Sequence, residues 1–192
     1  MMENIALHKR VSVKDFSEMQ FDDNDDFQYE IINGEMIRKS APSPVHQEVL
    51  KNLLYIIETH NRLEKKGRLF CAPIDVFLDD YNKLQPDLFF ISEKKKSIIT
   101  NDGIMGVPDL VIEIISPTSV IRDRIEKKNV YERFAIPEFW LVDPQYQAIE
   151  IYTLKNNRYE LFSAATAMEG GLNQSLFDGL SISFNDVFAS AL

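Results

Sequence analysis

The chain has 192 residues, 45% of them hydrophobic, and a formal net charge of −9 at pH 7. This length and hydrophobic content suffice for one sizeable core, so we expect residues 1–192 to form a single domain with residues 1–28 as an N-terminal extension. The negative charge excludes a general nucleic-acid coat protein, because such proteins take their affinity from many lysines and arginines. Any contact with a polyanion has to be local.

Cysteine content and apolar runs indicate the cellular compartment of the protein. The single cysteine, Cys71, cannot form an intramolecular disulfide, and the N-terminal stretch MMENIALHKRVSVKDF lacks the apolar segment of a signal peptide. No apolar run reaches the ~18 residues needed to span a bilayer. We therefore expect a cytoplasmic protein that has no membrane partner.

The first predicted elements are a hairpin and a helix. In FQYEIINGEMIRKS, alternating apolar residues flank Asn33 and Gly34, which is typical of a β-hairpin with a tight turn. After the prolines at positions 42 and 44, apolar residues recur at helical spacing from Val45, and the pattern ends near Lys66 and Gly67. This spacing predicts a long amphipathic helix.

The central segments predict a sheet. RLFCAPIDVFLDD (68–80) and QPDLFFIS (85–92) are typical of two strands joined by a turn at 80–82, and VPDLVIEII (107–115) of a third strand buried on both faces. We expect the polar connection 92–106 to hold a short helix. A second helix is predicted over 119–135, ended by Pro137, and further strands at FWLVDP, AIEIYTL, RYELFSA and LSISF. The fold class is therefore mixed α/β around a central sheet.

Acidic residues stand at unusual places in these strands. Alternation of side chains along a strand puts Asp109 and Glu113 on one face, and Glu113 lies in the middle of a core strand. An unpaired buried carboxylate costs several kcal/mol, so Glu113 has to be paired, protonated or bound to a metal. Asp109 is roughly 13 Å away along the strand, too far to share one ion directly. Asp87, on the preceding strand, is the better partner for Glu113.

Two carboxylates on adjacent strands form a hard-oxygen site suited to Mg²⁺, with Mn²⁺ as an alternative ion. Such a site favours phosphodiester hydrolysis, in which a lysine can orient the nucleophile or neutralise developing charge. On the second helix, Lys127 lies on a partly apolar stripe that faces the sheet, in the row Asp123, Lys127, Tyr131. Lys127 is therefore the candidate lysine.

The residues alone leave structural alternatives open. Pro-Asp pairs often begin strands, Lys127 could lie along Asp123, and Glu113 could pair with an arginine. Asp75 fits a strand edge slightly better than a ligand role, and His46 is typical of a buried core histidine. Glu30 and Glu35 flank the Asn33-Gly34 turn and are interpreted as exposed. No motif for zinc or serine-hydrolase chemistry is present in the sequence.

Seven segments in one order, YEIINGE, SPVHQEV, APIDVFLD, QPDLFFIS, PDLVIEIISPTS, DRIEKKNVY and IPEFWLVDP, resemble the Uma-two family, a branch of the restriction-endonuclease-like PD-(D/E)XK superfamily. The resemblance runs from about Tyr29 to the C-terminus. It implies a restriction-endonuclease-like core, a mixed sheet flanked by helices with an N-terminal hairpin and extra C-terminal strands. It also implies that Asp87 and Glu113 bind metal.

The sequence departs from the superfamily at one position. The usual lysine two residues after the glutamate is replaced by Ile115, and the resemblance implies that Lys127 on the helix takes its place. Glu30, His46 and Asp75 also lie in the recurring motifs, which makes them weaker candidates: Asp75 for extending the metal site, Glu30 or His46 for closing its wall.

These observations predict a Mg²⁺-dependent endonuclease that hydrolyses DNA. The alternatives are a non-catalytic binding or regulatory module that keeps the nuclease fold, and a hydrolase of another phosphoester such as RNA or a nucleotide. A homodimer is a further expectation, because the aromatic strands FWLVDP and AIEIYTL could offer an edge or face to a second copy.

Overall fold

The structure is a computed structural model that describes residues 10–22, 27–166, 172–173, 176–177 and 179–189. Its strands are β1 Tyr29–Ile32, β2 Glu35–Arg38, β3 Gly67–Cys71, β4 Val76–Asp79, β5 Asn82–Leu84, β6 Leu88–Ser92, β7 Ile99–Thr100, β8 Gly103–Met105, β9 Leu110–Ile114, β10 Glu138–Asp143, β11 Ala148–Lys155 and β12 Arg158–Thr166. Its α-helices are α1 Val13–Ser17, α2 Pro44–Glu64, α3 Lys128–Arg133 and α4 Phe184–Phe188. A 3₁₀-helix spans Glu93–Ile98 and a π-helix Arg122–Lys127. Within these residues, no helix has the length and apolar character needed to cross a membrane.

The strands form two mixed six-stranded sheets. The first, sheet A, has the order β2-β1-β5-β4-β8-β7, and the second, sheet B, the order β12-β11-β10-β9-β6-β3. Each sheet contains one parallel pair, β4 with β8 and β9 with β10, and its other pairs are antiparallel. The predicted central sheet corresponds to sheet B, whereas sheet A is a second layer that the strand predictions did not separate.

Sheet B lies between two hydrophobic clusters because its central strands are apolar on both faces. Leu110, Ile112 and Ile114 of β9 face one cluster, together with α2 and α4. Val111 and Ile115 face the other, which contains residues of sheet A and Tyr131 of α3. All five residues of β9 are buried, as the sequence predicted. The polar side chain of Glu113 therefore faces the cluster between sheet B, sheet A and α3.

Several predicted elements are confirmed. The hairpin pairs Ile32 with Glu35 around a turn in which Asn33 and Gly34 both have positive φ, 54° and 81°. The long helix α2 begins after Ser43, whose hydroxyl accepts a hydrogen bond from the backbone N–H of His46, and it ends at Lys65 in the left-handed conformation. The connection 92–106 contains the expected short helix and, in addition, the strands β7 and β8.

The strand prediction for 68–80 is wrong in its connectivity. The segment contains two strands, β3 in sheet B and β4 in sheet A, separated at Pro73, which lacks the N–H needed to continue a ladder. The turn near Asp80 joins β4 to β5 within sheet A, not to the strand of QPDLFFIS. The chain crosses to sheet B at Gln85–Asp87, and this crossing positions the candidate site.

Two further predictions need correction. LSISF does not form a strand: its residues alternate between buried and exposed as a strand would, but they belong to neither sheet, and α4 begins at Phe184. The helix predicted over 119–135 forms, but its first part is the π-helix Arg122–Lys127. The strands expected to offer an edge, β10 and β11, lie inside sheet B and have neighbours on both sides. The homodimer stays a prediction, but these two strands offer no free edge to a second copy.

The described part of the N-terminal extension contacts sheet A. The backbone N–H groups of Val11 and Val13 donate to the carbonyls of Gly34 and Asp80, at 2.8 and 2.7 Å. Helix α1 begins with a capping box between Ser12 and Asp15. Residues 1–9 and 23–26 lie outside the described residues, so the extension over 1–28 stays a prediction.

Candidate active site

The strand register places the two predicted metal-binding acids opposite each other. Strands β6 and β9 are antiparallel, with Leu88 opposite Ile112. One step further along the same register, Asp87 stands opposite Glu113, so the two side chains share a face of sheet B. Asp87 lies just before β6, and its Oδ2 accepts a hydrogen bond of 2.8 Å from the backbone N–H of Ile114. Strand pairing thus places the carboxylate of Asp87 beside that of Glu113.

Lys127 reaches Glu113 from the opposite layer. Its Nζ lies 3.1 Å from each carboxylate oxygen of Glu113, and its side chain is 3% exposed. The residue is the last of the π-helix, a rare helical form that frequently occurs at functional sites. The predicted stripe therefore faces the sheet, and the row Asp123, Lys127, Tyr131 is buried along its whole length.

Glu30 completes the group from sheet A, and its interpretation as an exposed hairpin acid is wrong. Its side chain is 1% exposed, and its Oε1 lies 3.0 Å from Lys127 Nζ. The same oxygen accepts a hydrogen bond of 2.8 Å from the backbone N–H of Gln85. Strand β1 lies between β2 and β5, so its inward side chains are covered, whereas Glu35 on the edge strand β2 is exposed.

His46 is buried, as predicted, and it contacts the site. Its Nε2 lies 3.2 Å from Asp87 Oδ2. Both hydrogen bonds to Asp87 involve Oδ2, so Oδ1 has no hydrogen-bond partner among the described residues. His46 Nδ1 is buried without a partner in that part of the chain. Helix α2 thus supplies a group that orients Asp87 from the face opposite α3.

Tyr131 and Asp123 were recognised only as neighbours of Lys127, yet both belong to the site. The Tyr131 hydroxyl donates a hydrogen bond of 2.5 Å to Glu113 Oε1. Asp123 Oδ1 lies 3.8 Å from Lys127 Nζ, and its side chain is 5% exposed. Their spacing of four residues on either side of Lys127 was the signal that could have identified them.

Asp75 lies in a separate polar group. Its Oδ1 accepts hydrogen bonds from Lys83 Nζ at 3.1 Å and from the side chain of Gln85 at 2.8 Å. Asp75 has no direct contact with the carboxylates of Asp87 and Glu113. Gln85 connects the two groups, because its backbone N–H donates to Glu30.

The charges of the site are unbalanced. Four buried carboxylates, those of Glu30, Asp87, Glu113 and Asp123, act on the single ammonium of Lys127. Burial by itself lowers the pKa of Lys127, but these four acids raise it well above its usual value, so the ammonium stays protonated. Lys39 is the next lysine, with its Nζ 3.9 Å from Glu30 Oε1. The site therefore carries an excess of negative charge.

The pKa values of these acids shift in opposite directions, because each carboxylate has different neighbours. The pKa of Glu113 is raised to about 8: burial is the largest cause, Lys127 opposes it, and Asp87, Asp123 and Glu30 add to the rise. Burial also raises the pKa of Asp123. For Asp87, burial is outweighed by the His46 hydrogen bond and by nearby positive charge, which hold its pKa below the usual value. Asp87 is thus the ionised acid of the pair, and Glu113 holds its proton most readily.

The donor set fits a divalent cation in its chemistry. Buried carboxylates in excess over cations, with Asp87 Oδ1 available, are the hard-oxygen ligands that Mg²⁺ and Mn²⁺ prefer. No three His, Cys, Asp or Glu side chains converge on one point within the described residues. The carboxylate oxygens of Glu113 instead accept hydrogen bonds from Lys127 and Tyr131.

The mixed α/β fold has a counterpart among solved structures. The structure is similar to a solved structure described as a "putative nuclease belonging to DUF820" from Anabaena variabilis ATCC 29413, with a TM-score of 0.74 over 95% of this chain and 99% of that one, at 19% identity. It also aligns with the type IIG restriction endonuclease BpuSI over 80% of this chain and 17% of that one, at 12% identity, but the TM-score of 0.43 is too low to establish a shared fold.

The sequence assigns the chain to a protein family. The profile of the Uma2 family, described as "Putative restriction endonuclease", matches residues 13–185. The chain belongs to the Uma2 family, as the seven sequence segments indicated. None of the curated proteins matches it in sequence.

Proposed function

We propose that this Uma2-family protein is a divalent-metal-dependent endonuclease that hydrolyses phosphodiester bonds of DNA, with Mg²⁺ as its ion. The observation that carries the proposal is the buried cluster of four carboxylates around one lysine, with Asp87 opposite Glu113. Buried acids in this excess are costly unless a cation compensates them. Family membership supports the nuclease class, and the substrate and ion are parts of the proposal.

Asp87 and Glu113 would hold the ion. A divalent ion bound there supplies polarisation of a phosphoryl oxygen and a lowered pKa of bound water. Asp87 is oriented for this role by His46 and by the backbone N–H of Ile114. Glu113 has to lose its proton and release part of its contact with Lys127, because both of its oxygens accept hydrogen bonds in this structure.

Lys127 acts as a fixed positive charge. Its raised pKa excludes the neutral amine that a general base requires. An ammonium held at Glu113 and Glu30 lies where it can stabilise negative charge on the phosphoryl group. We therefore assign it charge stabilisation and orientation of the nucleophile, as the sequence predicted, without proton abstraction.

Calorimetric titration of Mg²⁺ and Mn²⁺ tests the metal site. We expect the wild type to bind an ion and the isosteric variants Asp87→Asn and Glu113→Gln to lose that binding. Asp109→Asn is the matched control: Asp109 also follows a proline and precedes a strand, but its carboxylate pairs with Lys95 at 2.9 Å, outside the site. Its metal binding should equal that of the wild type.

Cleavage of supercoiled plasmid, single-stranded DNA and RNA tests the reaction. Metal-dependent nicking of DNA that disappears in Asp87→Asn, Glu113→Gln and Lys127→Met would support the proposal. A wild type that binds no ion would make the acids structural and support a non-catalytic binding module. Metal-dependent cleavage of RNA alone would replace DNA as the substrate.

A further inference from the structure

Two basic stretches that are distant in the sequence lie side by side in the structure. Residues 65–68, KKGR, follow helix α2, and residues 94–96, KKK, belong to the 3₁₀-helix after β6. Strand pairing sets Gly67 opposite Ser92, and the backbone N–H of Glu93 donates to the carbonyl of Lys66 at 3.0 Å. Six of the 21 lysines and arginines of the chain are brought together there.

Gly67 makes this close approach possible. A Cβ atom at this position would lie 2.2 Å from the carbonyl oxygen of Ile91 and 2.7 Å from the Cα of Ser92, both of which belong to the backbone. A larger residue would therefore force β3 away from the end of β6. The side chain of Asn61 holds the segment from the helix, because its amide donates to the carbonyl of Gly67 at 3.0 Å.

Half of these basic side chains are without an acidic partner. Lys66, Lys95 and Lys96 lie 4.0, 2.9 and 3.5 Å from Glu64, Asp109 and Glu93, respectively. Lys65, Arg68 and Lys94 are exposed and form no ion pair with any other residue that the structure describes. A chain with a net charge of −9 thus presents a local positive surface, formed by Lys65, Lys66, Arg68, Lys94 and Lys96, which we call the basic surface.

The basic surface has a defined position relative to the acids. Arg68 stands opposite Ile91, and Phe70 opposite Phe89, so Arg68 projects from the face of sheet B that carries Asp87 and Glu113. The backbone N–H of Ala72 donates to the carbonyl of Asp87 at 3.1 Å. Arg68 precedes Ala72 by four residues, which is roughly 13 Å along an extended strand. That span corresponds to about four base pairs at ~3.4 Å per step.

We propose that the basic surface binds the phosphate backbone of duplex DNA about four base pairs from the bond placed at Asp87 and Glu113. The inference deepens the proposed nuclease function and rests on it for the identity of the bound polymer. It explains how an acidic protein binds a polyanion: exposed lysines and an arginine contact the phosphates, and Arg68 is separated from the metal-binding acids by roughly 13 Å along the strand. Contacts of this kind position the duplex without reading its sequence.

Fluorescence anisotropy with a labelled duplex of about 20 base pairs, two helical turns, tests the proposal. The titration is run in EDTA at several salt concentrations, so that it is independent of cleavage. The variant Lys65→Gln/Arg68→Gln/Lys94→Gln removes the three unpaired charges. We expect its affinity to fall about 10-fold or more and the slope of log K against log salt to decrease by about 2 to 3, since each phosphate contact contributes ~0.9.

The matched control is Lys14→Gln/Lys51→Gln/Lys155→Gln, which changes the net charge equally at exposed positions outside the basic surface. Its affinity and salt slope should stay close to those of the wild type, because charges beyond about 10 Å are screened. Equal losses in the two triple variants, or a wild type that binds no duplex in EDTA, would overturn the inference. Loss of duplex binding in the first variant only would support the inference, even if the wild type does not cut plasmid. The absence of plasmid cleavage would count against the nuclease proposal alone.

Discussion

The ammonium nitrogen of Lys127 lies 3.1 Å from both carboxylate oxygens of Glu113, although the residues come from different layers of the fold. Glu30 approaches the same nitrogen from the second sheet at 3.0 Å, and Asp123 lies at 3.8 Å. One buried cation thus joins a strand of sheet B, a strand of sheet A and a π-helix. The contact that positions the proposed catalytic lysine also holds the two sheets and the helix together.

Replacing Lys127 by methionine should destabilise the fold. The change leaves four carboxylates buried without the cation that they share, and breaking a buried ion pair from one side costs about 3–5 kcal/mol. Urea denaturation at a pH above 8, where Glu113 is ionised, measures the loss. The control is Lys128→Met: the neighbouring ammonium lies over the ring of Tyr152 at 3.5 Å, a contact worth about 0.5–1 kcal/mol. Equal losses in both variants would contradict a central role for Lys127.

Stability should decrease as the pH rises from about 5 to 8. The pKa of Glu113 is raised from 4.5 to about 8 in the folded protein, so the folded state binds more protons than the unfolded state over this window. Asp123, whose pKa is also raised, contributes with the same sign. Asp87 has the opposite sign, and its stabilisation is lost only as the pH falls through its lowered pKa.

The variant Glu113→Gln isolates this effect. It cannot ionise, so its free energy of unfolding should depend less on pH between 5 and 8 than that of the wild type. Urea denaturation curves across this range provide the comparison. Identical pH profiles for variant and wild type would show that Glu113 does not carry the raised pKa.

Metal binding should release protons. An ion bound by Asp87 and Glu113 requires the ionised form of Glu113, whose pKa is about 8 in the free protein. Mg²⁺ affinity should therefore increase from pH 6.5 to pH 8.5. Calorimetry in two buffers with different ionisation enthalpies counts the protons released. Affinity that is independent of pH, with no proton release, would exclude Glu113 as a ligand.

Tyr131→Phe should weaken the site without disturbing the core. The ring keeps its contact with Phe139, while Glu113 loses a hydrogen bond of 2.5 Å. At a pH above 8, where Glu113 is ionised, hydrogen bonds to such a charged group contribute about 1.5–3 kcal/mol, so we expect a loss of stability near the lower end of that range. The control, Tyr152→Phe, removes a hydroxyl from Glu150, which also accepts a hydrogen bond from Arg124. Thermal denaturation should show a clearly smaller loss for the control.

Much of the local structure followed from the sequence. Asn33-Gly34 predicted the hairpin, the apolar run around Glu113 predicted a strand buried on both faces, and spacing placed Lys127 on an inward stripe. These features depend on residues that are close along the chain, where backbone conformation and side-chain periodicity are set by local chemistry. The segments typical of the Uma2 family were recognisable because each one is a short run of consecutive residues.

The tertiary structure decided which acids share a site. Glu30 and Glu35 flank one turn and look equivalent in sequence, yet only Glu30 is buried, because β1 is an inner strand of sheet A and β2 is its edge. His46 contacts Asp87 and Asp75 does not, because the chain changes sheets at Pro73 and again at Gln85. Such contacts join residues that are far apart in sequence, and they depend on how strands pair and layers pack. Local periodicity determined the elements of this protein, and the packing of two sheets against a π-helix determined its charge cluster.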